Sequence, residues 1–256
     1  MESLKILLIT QARIGSTRFP KKVTKILGNT TLLGLHLQRV KMSKKVTDWV
    51  VATTKEEGVG QIIEISNQSG VDFYQGDLND VLDRFYQAAL PYAPNYVVRV
   101  TSDCPLIDSN IIDEVIELTI QNQADYGANI LIEEFPDGQD VEVFNFRALE
   151  KAWKEAKLIS EREHVTPYIR NNSNLKGGNI FKAVHLSAPS NYNHIRMTVD
   201  EPKDLEGIET LIATLGFEAS WLDYTNYIIH HINEFKNQDI QRNEGYIKSL
   251  DNEKIK

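Results

Sequence analysis

Over its first 120 residues the chain alternates short apolar runs with amphipathic stretches, and this alternation limits the folds open to it. The runs Lys5–Ile9 (KILLI), Trp49–Thr53 (WVVAT), Val71–Tyr74 (VDFY) and Tyr96–Val100 (YVVRV) are rich in β-branched and aromatic residues. Such runs suit strands buried on both faces of a parallel sheet. Between them, Thr31–Met42 carries Leu32, Leu33, Leu35, Leu37 and Val40 as a broad apolar face. Ser109–Gln121 repeats Ile111, Ile112, Val115, Ile116 and Leu118 at helical spacing behind an N-cap at Asp108 or Ser109. Strand–helix alternation of this kind predicts an α/β fold with a mostly parallel sheet.

The second half reads differently. Phe135-Pro-Asp-Gly138 is a turn signal, and the alternating run Asp140–Phe146 follows it. Helices are predicted at Arg147–Lys157 and about Arg162–Asn171, then strands at Ile180–Leu186 and His194–Val199. Pro202 opens a helix through about Leu215, with proline in the first turn. Residues 1–240 read as one domain, with 133–190 an inserted hairpin and helix lid on the same sheet, and 241–256 as a polar tail. Lysine plus arginine number 28 against 36 acids, a net charge of −8. That balance argues against a sequence-independent nucleic-acid or anionic-membrane partner, while a local basic patch stays compatible with it. One cysteine excludes an intrachain disulfide framework and a multi-cysteine metal cluster. The apolar run Ile6–Ile9 is far too short for a signal or spanning segment, and no basic flank precedes it, so a cytoplasmic protein is expected.

Directly after the first strand lies Gln11-Ala-Arg-Ile-Gly-Ser-Thr-Arg-Phe-Pro-Lys-Lys22, with two arginines, two lysines, two hydroxyls and no acid. Ligands of open α/β sheets bind outside the carboxyl ends of strands. Gly15 lets the backbone approach an anion, and Ser16 and Thr17 can line a phosphate nest with exposed N–H groups. Arg13, Arg18 and Lys22 can clamp phosphate oxygens. The alternative is a solvated basic loop. No G-x-x-x-x-G-K-[ST] is present. Gly58-Val-Gly60 has Ile63 where a dinucleotide fingerprint needs its third glycine.

The loop resembles the A-R-x-x-S-T-R-x-P-x-K signature of cytidylyltransferases that activate acidic sugars, here Ala12-Arg-Ile-Gly-Ser-Thr-Arg-Phe-Pro-Lys-Lys22. Within that superfamily the chain is most similar to the spore coat polysaccharide branch, itself similar to acylneuraminate and 3-deoxy-octulosonate (Kdo) cytidylyltransferases. The likeness continues through Asp80-Val-Leu-Asp-Arg84, Thr101-Ser-Asp-Cys-Pro-Leu-Ile-Asp108, Pro136-Asp-Gly-Gln-Asp-Val-Glu-Val143, Arg162-Glu-His-Val-Thr-Pro-Tyr168 and Thr198-Val-Asp-Glu-Pro-Lys-Asp-Leu205, covering about residues 4–215. It implies a Rossmann-like three-layer α/β/α nucleotidyltransferase fold (GT-A-like), CTP and an acidic-sugar-like acceptor as partners, and a cytoplasmic enzyme. Relatives are often dimers, which makes 133–190 the natural place for homodimer contacts. The chain departs from the pattern at Lys21, where the loop more often has glycine.

Asp103 and Asp200 each follow an apolar run, in Thr-Ser-Asp-Cys-Pro and Thr-Val-Asp-Glu-Pro. If the two runs lie side by side, the carboxylates converge, and Mg²⁺ takes a few carboxylates together with substrate phosphates. The alternative is that each caps the following helix. The resemblance assigns the metal, Mg²⁺ or Mn²⁺, to Asp103 and Asp200. It also assigns nucleotide contacts to Ala12, Ser102 and Arg84. Arg84 otherwise reads as an i,i+4 surface pair with Asp80. Thr53 and Thr54 are either cytosine contacts or ordinary strand-end hydroxyls. Asp140 and Glu142 share one strand face. With Arg162 and His164 they resemble an acceptor pocket, the alternative being a solvent-facing hairpin. Cys104 reads as a buried thiol. Glu201 and Asp204 read as first-turn acids. The remaining histidines lack zinc spacing.

Together with these residues, the resemblance implies transfer of CMP from CTP to an acceptor hydroxyl with release of pyrophosphate. Arg13, Arg18, Lys22 and Asp103 would be its catalytic groups. Three alternatives stay open. One is a nucleotidylyltransferase using a sugar 1-phosphate. Another is a glycosyltransferase, which would carry an Asp-x-Asp metal motif the sequence lacks. The third is an inactive nucleotide-binding protein, against which the intact set Arg13, Arg18, Lys22, Asp103 and Asp200 speaks.

Overall fold

The computed structural model describes residues 4–16, 18–240 and 242–254. Among the described residues nine strands form in chain order. They are β1 (Ile6–Gln11), β2 (Ile26–Leu27), β3 (Thr30–Thr31), β4 (Asp48–Thr53), β5 (Asp72–Gln75), β6 (Tyr96–Thr101), β7 (Tyr126–Ala128), β8 (Glu142–Asn145) and β9 (Ala183–His185). The helices are α1 (Leu32–Val40), α2 (Gly60–Gln68), α3 (Val81–Ala89), α4 (Ser109–Gln121), α5 (Phe146–Glu155), α6 (Ile159–His164), α7 (Pro167–Asn171), α8 (Pro202–Leu215), α9 (Trp221–His230) and α10 (Glu244–Lys254). Seven strands make one sheet in the order β5-β4-β1-β6-β8-β7-β9, and β2 and β3 pair separately. β5, β4, β1 and β6 are mutually parallel, and β8 runs antiparallel between β6 and β7.

Both faces of the sheet are covered, as the unbroken apolar runs predict. Along β1 the side chains alternate. Ile6 and Leu8 pack with Leu33, Leu37, Ile112 and Ile116 on one face. Leu7 and Ile9 pack with Phe85, Leu149 and Ala152 on the other. Each of these side chains contributes roughly 1.5–3 kcal/mol by leaving water. α1 starts where the Thr31 hydroxyl accepts the Gly34 amide at 3.0 Å, and α4 where Asp108 accepts that of Asn110 at 2.9 Å. The chain winds from β1 outward to β4 and β5, then returns to β6 on the opposite side of β1. The β1–β6 boundary is therefore the topological switch point, and the segments leaving these two strands flank one crevice.

Three sequence expectations are corrected. Among the described residues His194–Val199 joins no strand of the sheet and makes a single bridge, Asp137 to Arg196. Its alternating Ile195, Met197 and Val199 point into a satellite core with Ile208, Leu211, Tyr224 and Ile228 of α8 and α9. The helix predicted over 162–171 breaks at Val165, whose φ of 71° lies in the left-handed region, and Pro167 restarts it as α7. Strand pairing in 180–186 is confined to β9. The 133–190 segment supplies β8 and β9 to the main sheet, and α6 lies against α3 and α10. Glu253 of α10 accepts hydrogen bonds from the Ser160 amide and hydroxyl. Among the described residues no helix is long and apolar enough to cross a membrane.

Candidate active site

The turn after β1 is held by its own backbone. Ala12 N–H donates to the Ala52 carbonyl, and the Ile14 carbonyl accepts from the amides of Ser16 and Lys21. Ile14 is buried beneath it, which pushes the neighbouring cations outward. Lys21 adopts φ 56°, ψ 29°. The position where the family pattern has glycine is thus a left-handed one that glycine takes without strain.

This turn opens on a cavity of about 990 Å³. Of the expected nucleotide residues, Ala12, Arg13, Ser16, Arg18, Lys22, Arg84 and Ser102 line it, as do Asp103, Asp140, Glu142, His164 and Asp200. Thr17 lies outside the described residues. Gly15 sits back from the wall, and a side chain there would collide with Glu56 Oε1 at 2.3 Å. Thr53 is fully buried, with its hydroxyl unpartnered, and does not reach the cavity. Arg162 does not reach it either. Its guanidinium is taken up by Asp80, with Nε–Oδ1 at 3.0 Å and Nη2–Oδ2 at 2.5 Å, and by the Trp153 carbonyl. Asp80 therefore pairs with Arg162, not with Arg84. Arg84 is buried, lines the cavity, and leaves Nε without a partner. Burial and the charge of Arg13 pull its pKa down to about 10.

Asp103 and Asp200 converge, though no strand pairing brings them together. The Val199 amide donates to the Asp103 carbonyl at 2.8 Å. The Lys22 ammonium then bridges both side chains, 3.0 Å from Asp103 Oδ2 and 2.8 Å from Asp200 Oδ1, and donates to the Val199 carbonyl at 2.8 Å. Burial opposes charge on Lys22, but the two carboxylates outweigh it and raise its pKa. Burial likewise opposes charge on Asp103, and Lys22 overrides it to hold the carboxyl low. Asp200 also meets Arg18 Nη2 at 3.1 Å and Arg196 Nη2 at 3.3 Å. It caps nothing. Asp204 accepts the amides of Asp200 and Glu201 instead.

The donor set suits a hard divalent cation. The two carboxylates share Lys22, with Arg18 and Arg196 also beside Asp200, and Mg²⁺ completes such a carboxylate pair with phosphate oxygens and water. Among the described residues no cluster of three or more protein ligands forms, so substrate oxygens would complete the shell.

Four arginines of this region carry no weight in the sequence patterns. Arg99 and Arg196 interrupt apolar runs, and a charge inside such a run was the available signal. Arg99 Nη1 pairs with Glu142 Oε1 at 2.5 Å, and Arg196 binds Asp137 and Asp204. Arg170 of α7 lines the cavity. Arg242 reaches in from the tail to Asp140 Oδ1 at 2.5 Å. Asp137 and Asp140 are half-buried near one another; Arg242 pairs closely with Asp140 and lies 4.0 Å from Asp137, whose main partner is Arg196 at 2.7 Å. Burial and the charge of Asp140 push Asp137 up to about 7, and burial with the charges of Glu142 and Glu133 pushes Asp140 up. His164 is pushed down to about 4 by burial and by Arg99 and Arg170.

A cationic turn and paired carboxylates at the switch point of a mostly parallel sheet define the nucleotidyltransferase class. A family model described as Cytidylyltransferase matches residues 7–235, and the chain belongs to that family. It is 33% identical over 218 residues to the spore coat polysaccharide biosynthesis protein SpsF of Bacillus subtilis, covering 82% of this chain and 88% of that protein. It is 31% identical over 121 residues to a 3-deoxy-manno-octulosonate cytidylyltransferase of Nitratiruptor, covering 45% of this chain and 48% of that one. A cytidylyltransferase structure from Leptospira borgpetersenii superposes with a TM-score of 0.86 at 35% identity, over 94% of this chain and 100% of that one.

Proposed function

We propose that the enzyme transfers CMP from CTP to a hydroxyl of an acidic sugar or a related acid, releasing pyrophosphate, in surface polysaccharide or glycan synthesis. The observation that carries this reading is the meeting of Arg13, Arg18, Lys22 and Arg84 with Asp103 and Asp200 around one cavity. A chain of net charge −8 concentrates these cations where a triphosphate has to lie.

The triphosphate lies along residues 12–22. Arg13 and Arg84, neither of which forms an ion pair among the described residues, take phosphate oxygens, and Arg18 and Lys22 take the charge of the departing pyrophosphate. Lys22 can swing from the carboxylates to the phosphates on its flexible stem. Asp103 and Asp200 would hold Mg²⁺ or Mn²⁺, which when bound neutralises phosphate charge. The acceptor oxygen attacks the α-phosphorus in line, and the rate comes from positioning and charge neutralisation. The base lies in the adjoining pocket at the ends of β4 and β5, lined by Glu56, Asp77 and Tyr74. Acidic acceptors there match the exocyclic amine of cytosine, which uracil lacks.

The test is pyrophosphate release across four nucleoside triphosphates, with and without Mg²⁺ and a panel of acidic sugars. CTP is expected to be preferred, and Asp103→Asn to abolish release while the melting transition persists. Near-normal turnover by that variant would sink the metal assignment.

A further inference from the structure

The sequence offers Arg162 for the acceptor's anionic group, and the structure commits Arg162 to Asp80. A different set of cations stands where β6, β8, α6, α7 and α10 wall the cavity. Arg99 and Arg170 flank one buried carboxylate, Glu142. Both of its oxygens are engaged, Oε1 by Arg99 Nη1 at 2.5 Å and Oε2 by the Tyr126 hydroxyl at 2.5 Å. Burial opposes charge on Glu142, but the two arginines hold it ionised. Arg170 forms no ion pair among the described residues. Its guanidinium lies over the Tyr246 ring, 5.1 Å from the centroid, and the His164 ring packs against the same tyrosine at 5.1 Å. Arg99 Nε and His164 Nε2 are buried without hydrogen-bond partners. Arg99, His164, Arg170 and Tyr246 all line the cavity.

Two guanidiniums, one carboxylate and a neutral imidazole leave a single positive charge and unmet donors facing a ligand space. Unpaired buried polar groups of this kind are costly unless something fills them. We infer that Arg99 and Arg170 form the subsite for one carboxylate of the acceptor, with Tyr246 as the residue that positions Arg170. A planar, bidentate guanidinium suits a carboxylate. The single net charge favours a sugar acid over a sugar phosphate, whose charge of about −1.5 to −2 would exceed it. Tyr246 stands on α10, beyond residues 7–235 of the family match, so the C-terminal helix takes part in the choice of acceptor. The assignment rests on the cytidylyl-transfer reading above.

The test uses the full chain with CTP and Mg²⁺. The probes are 3-deoxy-manno-octulosonate, N-acetylneuraminate, the C1 amide of each, and glucose 1-phosphate. Turnover is measured first, and equilibrium binding to the CTP-loaded protein where turnover is absent. At least one acid is expected to react or bind while its amide and glucose 1-phosphate do not. Arg170→Gln should raise the KM or Kd for that acid about ten- to hundredfold, the weight of a charged hydrogen bond. The KM for CTP should stay within about twofold on the same scale. Arg170→Lys should recover part of the loss, and Tyr246→Phe, which keeps the ring but removes the hydroxyl that hydrogen-bonds Arg170, should fold normally and show a smaller loss of the same kind. The assignment is overturned if the amide or the phosphate ester serves as well as the acid. Binding of CTP but of no acid overturns it, as does loss of acid and CTP affinity in equal measure. Failure of the wild-type protein to bind CTP would overturn the cytidylyl-transfer reading itself, and this subsite with it.

Discussion

Replacing Lys22 by methionine keeps the aliphatic stem and removes the one group that bridges Asp103 and Asp200. In the wild-type protein its nitrogen makes three hydrogen bonds, at 3.0, 2.8 and 2.8 Å. The lysine side chain is 12% exposed, and those of Asp103 and Asp200 are 28% and 22% exposed. Removing one partner of a fully buried pair costs about 3–5 kcal/mol. A solvated pair is worth about 0–1 kcal/mol. These carboxylates are roughly a quarter open to solvent, and Asp200 keeps Arg18 and Arg196. A loss of about 2–3 kcal/mol therefore follows by interpolating between the two limits. For a chain of this size that is a fall in Tm of roughly 4–12 °C.

The pH dependence has a definite sign. Asp103 ionises below its ordinary range in the folded protein because of Lys22, so its contribution is complete above that range and is lost progressively as pH falls below it, toward the depressed folded-state value. The gap between wild type and Lys22→Met should accordingly narrow in acid, where a protonated Asp103 needs no cation. Added Mg²⁺ should raise the Tm of the variant more than that of the wild type, since no ammonium competes for the carboxylates. Thermal melts with and without Mg²⁺, from neutral pH to below pH ~4, read all three effects. Equal melting of the two proteins at neutral pH, or a gap unchanged in acid, would refute the bridging role.

Further expectations concern the supporting structure. Asp204 is fully buried and binds Arg196 at 2.8 and 3.0 Å, and Asn237 at 3.0 Å. Arg196 overcomes burial to hold its pKa low, so Asp204→Asn should cost about 3–5 kcal/mol at neutral pH and progressively less in acid, as read by chemical unfolding. Lys21→Gly relieves a left-handed backbone worth about 1–2 kcal/mol while adding about 0.5–1 kcal/mol of unfolded-state entropy. The net gain should be slight and visible as an unchanged or higher Tm. Thr53→Val replaces a buried hydroxyl that has no partner. Stability should hold or rise by up to about 1 kcal/mol, and CTP affinity should not move in a titration; a marked weakening would place Thr53 on the base after all.

The parallel half of the fold was legible because its inner strands β1, β4 and β6 are largely buried and so spell nearly unbroken apolar runs, while the exposed edge strand β5 is marked by its aromatic pair Phe73 and Tyr74. β1, β4, β5 and β6 fall within a residue or two of their expected places. His194–Val199 misled for the same reason. An alternating apolar segment satisfies the same pattern when it packs on α8 and α9 as when it joins a sheet, and periodicity does not name the surface that does the burying. The left-handed Val165 is no better marked, because a β-branched residue there violates local preference and tertiary packing alone imposes it.

The two halves of the site differ in how their residues are distributed along the chain. A phosphate is bound by backbone amides and short-range cations, so one contiguous turn can do it, and residues 12–22 announce it by composition alone. The proposed acceptor half draws on β6, the approach to β8, α6, α7 and the tail, each giving one or two polar or charged groups. No local window contains more than a fragment of that set. Arg162 illustrates the consequence: its motif neighbour His164 turns into the cavity, while Arg162, two residues earlier on the same short helix, meets Asp80 at the start of α3. Two positions along a helix are about 200° apart, so both residues cannot face one ligand. The helical period therefore argues against Arg162 and His164 sharing a pocket. Only the long-range packing reveals that Arg99 and Arg170 stand in its place, because their sequence separation hides them from every local pattern.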